Sequence, residues 1–213
     1  NAPILAWAAS FVFASLISLG LWFNADIFLG QDSTQIVQFN NEYQTKIGEQ
    51  STFFLQDKTQ IKLNTNSLVK VTYTDKQRVF ELLRGEMHVV VAHNKQKPLS
   101  VYAGSNIIQA VGTAFNVELN DEEVELIVTD GKVLVGNKLK PTQKGVNSEI
   151  IHPLDASGEL MIAGQKALVG QQSIEQMTLS SEQVKNDLAW QQGMLVFHGE
   201  SLAEALLEIG RYT

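Results

Sequence analysis

The residues best suited to chemistry lie together in "LLRGEMHVVVAHNKQKPLSV", residues 82–101. Glu86, His88 and His93 fall within eight positions, and carboxylate and imidazole groups are common zinc ligands. Side chains alternate along a strand, however, so Glu86 and His88 would share one face and His93 would lie on the other. Zinc usually takes three or four protein ligands, whereas this strand offers two at most. We therefore predict no metal site, with His88 a half-exposed strand residue and His93 a turn residue.

Other catalytic patterns are also missing from the sequence. His152 and His198 lie far from this stretch and in other predicted elements. There is no HExxH, no GxSxG elbow, no GxxxxGK[ST] loop and no GxGxxG after a strand. The chain has no cysteine, which excludes disulfides, thiolate metal sites and thiol nucleophiles. These observations predict a protein that is not an enzyme and holds no cofactor.

The charge of the chain argues against a nucleic-acid partner. The net charge is -7, from 16 basic and 23 acidic residues, and no Lys/Arg cluster is long enough to follow a phosphate backbone. The paired carboxylates from Asp121 to Glu123 fall in a predicted hairpin turn, where solvated charge is ordinary.

The start of the sequence predicts a membrane anchor within residues 1–25. Residues 4–23 supply twenty mostly apolar positions, and a helix rising about 1.5 Å per residue spans a bilayer core of about 30 Å with that length. A core helix would carry a polar stripe, and a signal peptide would have small residues where "LWFNAD" has bulky ones. The predicted anchoring side chains are Ile4, Trp7, Phe11, Leu16, Leu19, Trp22 and Phe23.

The charges after this helix indicate its orientation. The first charged residues are Asp26 and Asp32, and the first lysine is Lys46. Cytoplasmic flanks usually carry Lys or Arg close to the helix end. We therefore expect a cytoplasmic N-terminus, a polar tether over residues 26–44 and an exported body. Because the first residue is Asn and the last residues read as a helix, we also expect the chain to be a fragment.

Period-two alternation predicts an all-β body over residues 45–179. "LVKVTYT" with "RVFELL", and "FNVEL" with "VELIV", read as hairpins. Asp130-Gly131 is the strongest short hairpin signal, because a type I′ turn needs positive φ at both central positions. Such strands indicate a meander or solenoid, or a sandwich.

The pattern changes in residues 180–213. "SSEQVKNDLAW" reads as a polar connector or short helix, and "GMLVFHG" reads as a strand between glycines. "SLAEALLEIGRY" predicts an amphipathic helix with Ser201 as N-cap and Glu204 three residues later, a capping box. A strand followed by a helix predicts the start of a small α/β (βαβ) unit.

Five motifs occur in the order that is typical of one family. They are "TKIGEQSTFFLQDKTQIKLNTNSLVKV", "LLRGEMHVVVAHNKQKPLSV", "VGTAFNVEL", "VTDGKVLV" and "WQQGMLVFHGESLAEALLEIGRY". In these motifs the chain resembles the FecR family of transmembrane sigma-factor regulators. The matching positions are Gly48, Asp57, Asn64, Gly85, Glu86, Pro98, Gly112, Thr113, Phe115, Gly131, Trp190 and Gly193. Lys58 replaces the family's glycine, and Leu99 replaces its phenylalanine.

The sequence allows two interpretations of Glu86. It could accept hydrogen bonds from the backbone N–H groups of a turn, or it could be a solvated charge at a sheet edge. Gly85 and Gly112 precede predicted strands, where a missing Cβ allows a bend or a close approach.

The resemblance implies a single-pass regulator of an extracytoplasmic-function sigma factor in the bacterial inner membrane. Its periplasmic part would bind the N-terminal signalling domain of an outer-membrane TonB-dependent transporter, and a cytoplasmic region preceding this sequence would bind the sigma factor. Membrane proteases and membrane lipid are further implied partners. The C-terminal unit resembles the secretin/TonB short N-terminal (STN) domain, and the candidate partner-binding residues there are Leu195, Phe197, Leu202, Leu206, Arg211 and Tyr212.

The sequence is also compatible with a second function. A single-pass periplasmic β-scaffold, bridging the envelope or carrying lipid, would show the same anchor and strands. An apolar interior groove would favour that function.

Overall fold

The computed structural model describes residues 39–120, 123–137, 158–170, 173–197 and 199–213. The predicted membrane anchor, His152 and His198 lie outside these ranges. Within them, no helix is both long enough and apolar enough to cross a bilayer.

Strands dominate the described residues, as the alternation predicts. They are β1 (Phe39–Gln44), β2 (Ser51–Phe54), β3 (Gln60–Leu63), β4 (Leu68–Tyr73), β5 (Arg78–Val90), β6 (Leu99–Ala103), β7 (Asn106–Ala110), β8 (Ala114–Asn120), β9 (Glu123–Asp130), β10 (Lys132–Asn137), β11 (Glu159–Ile162), β12 (Gln165–Val169) and β13 (Ile174–Thr178). Two helices follow, α1 (Ser181–Asp187) and α2 (Leu202–Gly210), with a 3₁₀ turn at Ala189–Gln192 between them. The prediction of an all-β body is confirmed.

The two predicted hairpins form with the expected faces. In β4, Val69 and Val71 are buried while Lys70 is exposed, and Val71 pairs with Phe80 of β5. The second hairpin pairs β8 with β9. Alternation is a reliable guide here because one face of each strand contacts the core.

The strands form two sheets that share β5. Sheet A has the order β11-β10-β7-β6-β5-β4-β1, and sheet B has the order β2-β3-β5-β8-β9-β12-β13. The first part of β5 pairs with β4 and, in parallel, with β6, whereas its second part pairs with β3 and β8. β5 passes from sheet A to sheet B at Gly85, whose φ is +78°.

Side chains from both sheets form one hydrophobic core. Its largest fully buried members include Phe80, Phe115, Ile61, Leu63, Leu82, Met87 and Leu126. The interior of the described β body is therefore filled by its own side chains.

The prediction of a hairpin turn at Asp130-Gly131 was wrong. β9 pairs with β8 and β12 in sheet B, while β10 pairs with β7 and β11 in sheet A. Gly131 has the expected positive φ of +73°. A Cβ on Gly131 would lie 2.9 Å from Thr113 Cγ2, so the glycine serves a tight corner between the sheets.

The predicted polar tether was wrong for its last six residues, because Phe39–Gln44 form β1. β1 pairs with β4 in antiparallel register, with Tyr43 opposite Val69. Phe39 and Tyr43 pack against the core, and these two apolar side chains are too few to give a clear signal in the sequence.

The C-terminal prediction was right for the helices and wrong for the strand. Ser180 caps α1, and Ser201 caps α2 with the predicted capping box to Glu204. Residues Met194–Phe197, predicted as a strand, have no ladder partner in the described part of the chain. A strand needs a neighbour to pair its backbone N–H and C=O groups, and no neighbour is found there.

Candidate functional site

A row of three carboxylates crosses the face of sheet B that points away from the core. Glu86 of β5 lies directly opposite Glu118 of β8, which lies directly opposite Glu125 of β9. Like charges in directly opposed positions destabilise a sheet. The row therefore needs compensating charge.

Two cations from other elements supply that charge. Arg211, which follows α2, places Nη2 3.2 Å from Glu86 Oε2 and Nη1 2.7 Å from Glu118 Oε1. At the other end of the row, Lys166 Nζ lies 2.7 Å from Glu125 Oε1 and 3.1 Å from an Asp187 oxygen. Glu208 of α2 completes the cluster at 2.9 Å from Arg211 Nη1.

Glu86 is buried and hydrogen-bonded on both oxygens. Its side chain is 5% exposed. Asn64 Nδ2 donates to Oε2 at 2.7 Å, and Asn116 Nδ2 donates to Oε1 at 2.8 Å. Both interpretations of Glu86 were wrong, since this buried carboxylate accepts from side-chain amides and a guanidinium instead of from turn N–H groups.

Burial and mutual repulsion govern the titration of the row. Burial raises the pKa of Glu86, and the amides of Asn64 and Asn116 and the charge of Arg211 offset part of this rise. Burial, followed by the neighbouring Glu86, raises the pKa of Glu118 to about 8. Burial alone would lower the pKa of Arg211, but Glu118 and Glu86 raise it overall. Arg211 is thus the group that favours the ionised form of both carboxyls.

The β body also binds Tyr212, on the side where it binds Arg211. Asn64 Nδ2 donates a 2.7 Å hydrogen bond to Tyr212 Oη, and Thr65 Oγ1 donates a 3.0 Å bond to the carbonyl of Arg211. A Cβ on Gly48, whose φ is +76°, would lie 3.0 Å from the carbonyl oxygen of Tyr212. Gly48 therefore allows the C-terminal backbone to approach closely.

Buried hydroxyls fix the residues that hold Arg211 and Tyr212. Ser67 Oγ accepts a 2.9 Å bond from the Glu86 backbone N–H. Thr45 Oγ1 accepts a 3.0 Å bond from the Ser67 backbone N–H, and Gly48 N donates to Thr65 Oγ1 at 2.8 Å. We call Gly48, Asn64, Thr65, Glu86 and Glu118 the Arg–Tyr site.

The sequence of the β body matches a known family. Residues 41–134 match the family model described as FecR protein. This part of the chain belongs to the FecR family. The curated proteins searched gave no match to the sequence.

The fold of this chain is shared with a solved protein. Two crystal structures of a "putative anti-sigma factor" from Parabacteroides distasonis ATCC 8503, at 2.50 and 1.65 Å resolution, each match with a TM-score of 0.64 and 22% identity. The match covers 82% of this chain and 75% of the other in the first structure, and 81% and 74% in the second. At this identity the likeness establishes the fold.

Several FecR-motif residues that are far apart in the sequence meet in the structure. Gly48, Asn64 and Glu86 belong to the Arg–Tyr site. Gly85 directly precedes Glu86 of this site. It allows a close approach of the backbone there, because a Cβ on Gly85 would lie 2.7 Å from Ser67 Cα. The motif ending "RY" supplies Arg211 and Tyr212, which this site binds.

Asp57 belongs to a second buried network. It accepts hydrogen bonds from the Thr59 backbone N–H at 2.9 Å, from Tyr73 Oη at 2.8 Å and from Arg78 Nη1 at 2.9 Å. Burial would raise the pKa of Asp57, but these bonds lower it overall. The next residue, Lys58, has a φ of +71°, so the turn keeps the left-handed conformation that suits the family's glycine.

The other motif residues have structural positions. Pro98 directly precedes β6, Phe115 is fully buried, and the Thr113 carbonyl accepts a 2.8 Å bond from Val91 N. Trp190 is buried within the 3₁₀ turn, and Gly193 ends that turn with a φ of +73°.

The three candidate metal ligands in residues 82–101 contact different partners. Glu86 and His88 do share a face, but His88 Nε2 lies 3.3 Å from Thr129 Oγ1. Burial, aided by Lys62, lowers the pKa of His88 to about 4. His93 lies against Gly112, where a Cβ would be 2.9 Å from His93 Cβ. In the described ranges, no three His, Asp or Glu side chains are grouped to hold a metal ion.

The candidate partner-binding residues divide into two groups. Leu202, Leu206 and Phe197 are exposed, and Leu195 is partly buried. Arg211 and Tyr212 instead contact the β body, as described above.

Sequence reasoning missed Glu118, Glu125, Lys166 and Asn116. The hairpin "FNVEL"–"VELIV" could have indicated that Glu118 opposes Glu125. Nothing local indicates that β8 lies beside β5, which is what brings Glu118 to Glu86.

Proposed function

We propose that this FecR chain regulates an extracytoplasmic-function sigma factor from the bacterial inner membrane. Residues 4–23 would anchor it, with the body in the periplasm and a preceding cytoplasmic region bound to the sigma factor. The observation that carries this proposal is the family match over residues 41–134, in which the motif residues Gly48, Asn64 and Glu86 meet around Arg211 and Tyr212. The fold shared with a protein described as a "putative anti-sigma factor" supports it.

The periplasmic part would receive its signal by binding the signalling domain of a TonB-dependent transporter. The exposed apolar side chains of α2 support this role. Leu202, Leu206, Leu207 and Ile209 are 76%, 57%, 75% and 43% exposed. Apolar patches on soluble surfaces commonly mark protein interfaces. Membrane proteases would then carry the signal across the membrane.

Catalysis and lipid transport have less support. FecR membership indicates regulation. The filled core offers no groove for lipid in the described β body, so the scaffold function is not favoured.

The test is binding of the detergent-solubilised chain to transporter signalling domains from the same genome. We expect one domain to bind, and Leu202→Asp with Leu206→Asp to weaken that binding by roughly tenfold or more. Lys76→Glu, in the exposed turn before β5, is the control and should bind normally. Absence of binding to every such domain would contradict the proposal.

A further inference from the structure

We propose that the Arg–Tyr site is a releasable binding site for an Arg–Tyr pair in a peptide, and that Arg211–Tyr212 occupies it in cis. Its ligand is a guanidinium and a phenol on adjacent residues. This inference does not depend on the proposed partners of the chain.

The C-terminal helix α2 is attached to the β body by few contacts. No residue of α2 is buried. Leu202, Leu206 and Leu207 are all mostly exposed, so apolar burial does not hold the helix to the β body. The two residues after it instead make two ion pairs and two hydrogen bonds with the Arg–Tyr site. The attachment of α2 is therefore polar and concentrated in Arg211 and Tyr212.

The β body positions Asn64 of the Arg–Tyr site by itself. The backbone N–H of Asn64 donates a 2.9 Å bond to the Glu86 carbonyl. Its side-chain oxygen accepts a 2.9 Å bond from Gln50 Nε2. None of these contacts uses the C-terminal segment, so the site is formed whether or not Arg211 and Tyr212 are bound.

The Arg–Tyr site matches its ligand in charge and in shape. The two Nη atoms of one guanidinium reach carboxylates on adjacent strands, at 3.2 Å for Glu86 and 2.7 Å for Glu118. A lysine ammonium is a single point charge and lacks this planar fork. The phenol oxygen meets Asn64, and the missing Cβ of Gly48 leaves room for the tyrosine carbonyl. The site thus selects arginine over lysine and tyrosine over phenylalanine.

Release of the pair would leave two facing carboxyls without their cation. An unpaired buried charge is strongly unfavourable, so the open site should readily take another Arg–Tyr peptide. α2 would at the same time become free to move with its apolar side chains.

The first experiment measures the position of α2 in the full chain. The sequence has no cysteine, so Leu207→Cys and Glu81→Cys, both at exposed positions, allow a specific pair of spin labels. We expect a narrow distance distribution in the parent chain and a broad one with Arg211→Ala and Tyr212→Phe. Leu202→Ala, on the exposed part of α2, is the matched control and should leave the distribution narrow.

Two outcomes of this experiment would overturn the proposal. One is an unchanged distance distribution in the double variant. The other is loss of hydrogen-exchange protection in β5 and β8 along with release, which would make Arg211 a residue of the fold instead of a releasable ligand.

The second experiment tests binding in trans. A labelled peptide with the sequence of residues 201–213 is added to the full chain carrying Arg211→Ala and Tyr212→Phe, and to the parent chain. We expect the variant to bind at least about tenfold more tightly, because the parent site is occupied, and a peptide with Lys in place of Arg to bind about tenfold more weakly. Equal binding to both chains, equal binding of both peptides, or no binding at all would overturn the proposal.

Discussion

Asn64 and Tyr212 are 148 positions apart in the sequence, yet a 2.7 Å hydrogen bond joins Asn64 Nδ2 to Tyr212 Oη. The same nitrogen donates a 2.7 Å bond to Glu86 Oε2. One buried amide thus connects the segment after β3, the shared strand β5 and the C-terminal residues.

Asn64→Ala should lower the free energy of unfolding by about 2–3 kcal/mol, because the buried Glu86 Oε2 loses the hydrogen bond from Asn64 Nδ2 and Gln50 Nε2 loses its acceptor on Asn64. Asn64→Asp should cost more, since it places a further carboxylate against Glu86, which already faces Glu118. Urea denaturation measures both. Asn40→Ala, at an exposed position of β1, is the control, and an effect of similar size there would remove the special role of Asn64.

Gly85→Ala should destabilise the fold by more than about 2 kcal/mol, since it combines left-handed strain with a clash against Ser67. Gly193→Ala is a matched control, because Gly193 has a similar φ and no atom within 4 Å of its Cβ position. That control should cost only about 1 kcal/mol. Equal losses in the two variants, measured by urea denaturation, would show that the close contact with Ser67 is unimportant.

Lys58→Gly should stabilise the protein by about 0.5–1 kcal/mol, because a non-glycine residue at a φ of +71° is strained. Lys70→Gly, in the middle of β4, should instead destabilise by about 0.5–1 kcal/mol. Thermal denaturation at one pH compares the two. A lower melting temperature for Lys58→Gly would contradict the strain argument.

Glu118→Gln should flatten the dependence of stability on pH between 5 and 9. The pKa of Glu118 is raised from 4.5 to about 8 by burial and by Glu86. The folded state therefore binds this proton more tightly than the unfolded state does, and the resulting stability is lost as the pH rises through about 8. Urea midpoints at pH 5, 7 and 9 measure the effect. Exposed Glu81→Gln should keep the parent profile, and an identical profile for Glu118→Gln would contradict the prediction.

His88 should produce the opposite trend at lower pH. Burial lowers its pKa from 6.5 to about 4, so the unfolded state gains a proton before the folded state does. Stability is present above about pH 6.5 and is lost as the pH falls through about 4. His88→Gln should reduce the loss between pH 7 and pH 5, whereas exposed His93→Gln should not. Denaturation curves at both pH values decide between these results.

Local signals predicted much of the fold. Alternation located the β4–β5 and β8–β9 hairpins because one face of each strand meets the core. The capping box at Ser201 and Glu204 placed the start of α2 within a residue. The FecR motifs marked Gly48, Asn64, Gly85 and Glu86, although their mutual contacts were not foreseen.

Other features depended on which strands became neighbours. Asp130-Gly131 carries a hairpin signal, yet the chain there passes from sheet B to sheet A. Met194–Phe197 has the composition of a strand, but strand formation also requires an adjacent backbone to pair with. A glycine or an apolar run reports local preference and does not specify the partner.

The sequence by itself therefore determined the β4–β5 and β8–β9 hairpins, the cap of α2 at Ser201 and the need for glycine at Gly131, because these follow from backbone conformation and from the faces of single elements. The tertiary structure alone decided that Glu86, Glu118 and Glu125 stand in one row and that Arg211 and Tyr212 meet it. Those contacts depend on the pairing of β5 with β8 and on the position of the residues that follow α2. Burial in this arrangement then raises the pKa of Glu118, a shift that depends on the tertiary contacts and is not visible in the sequence.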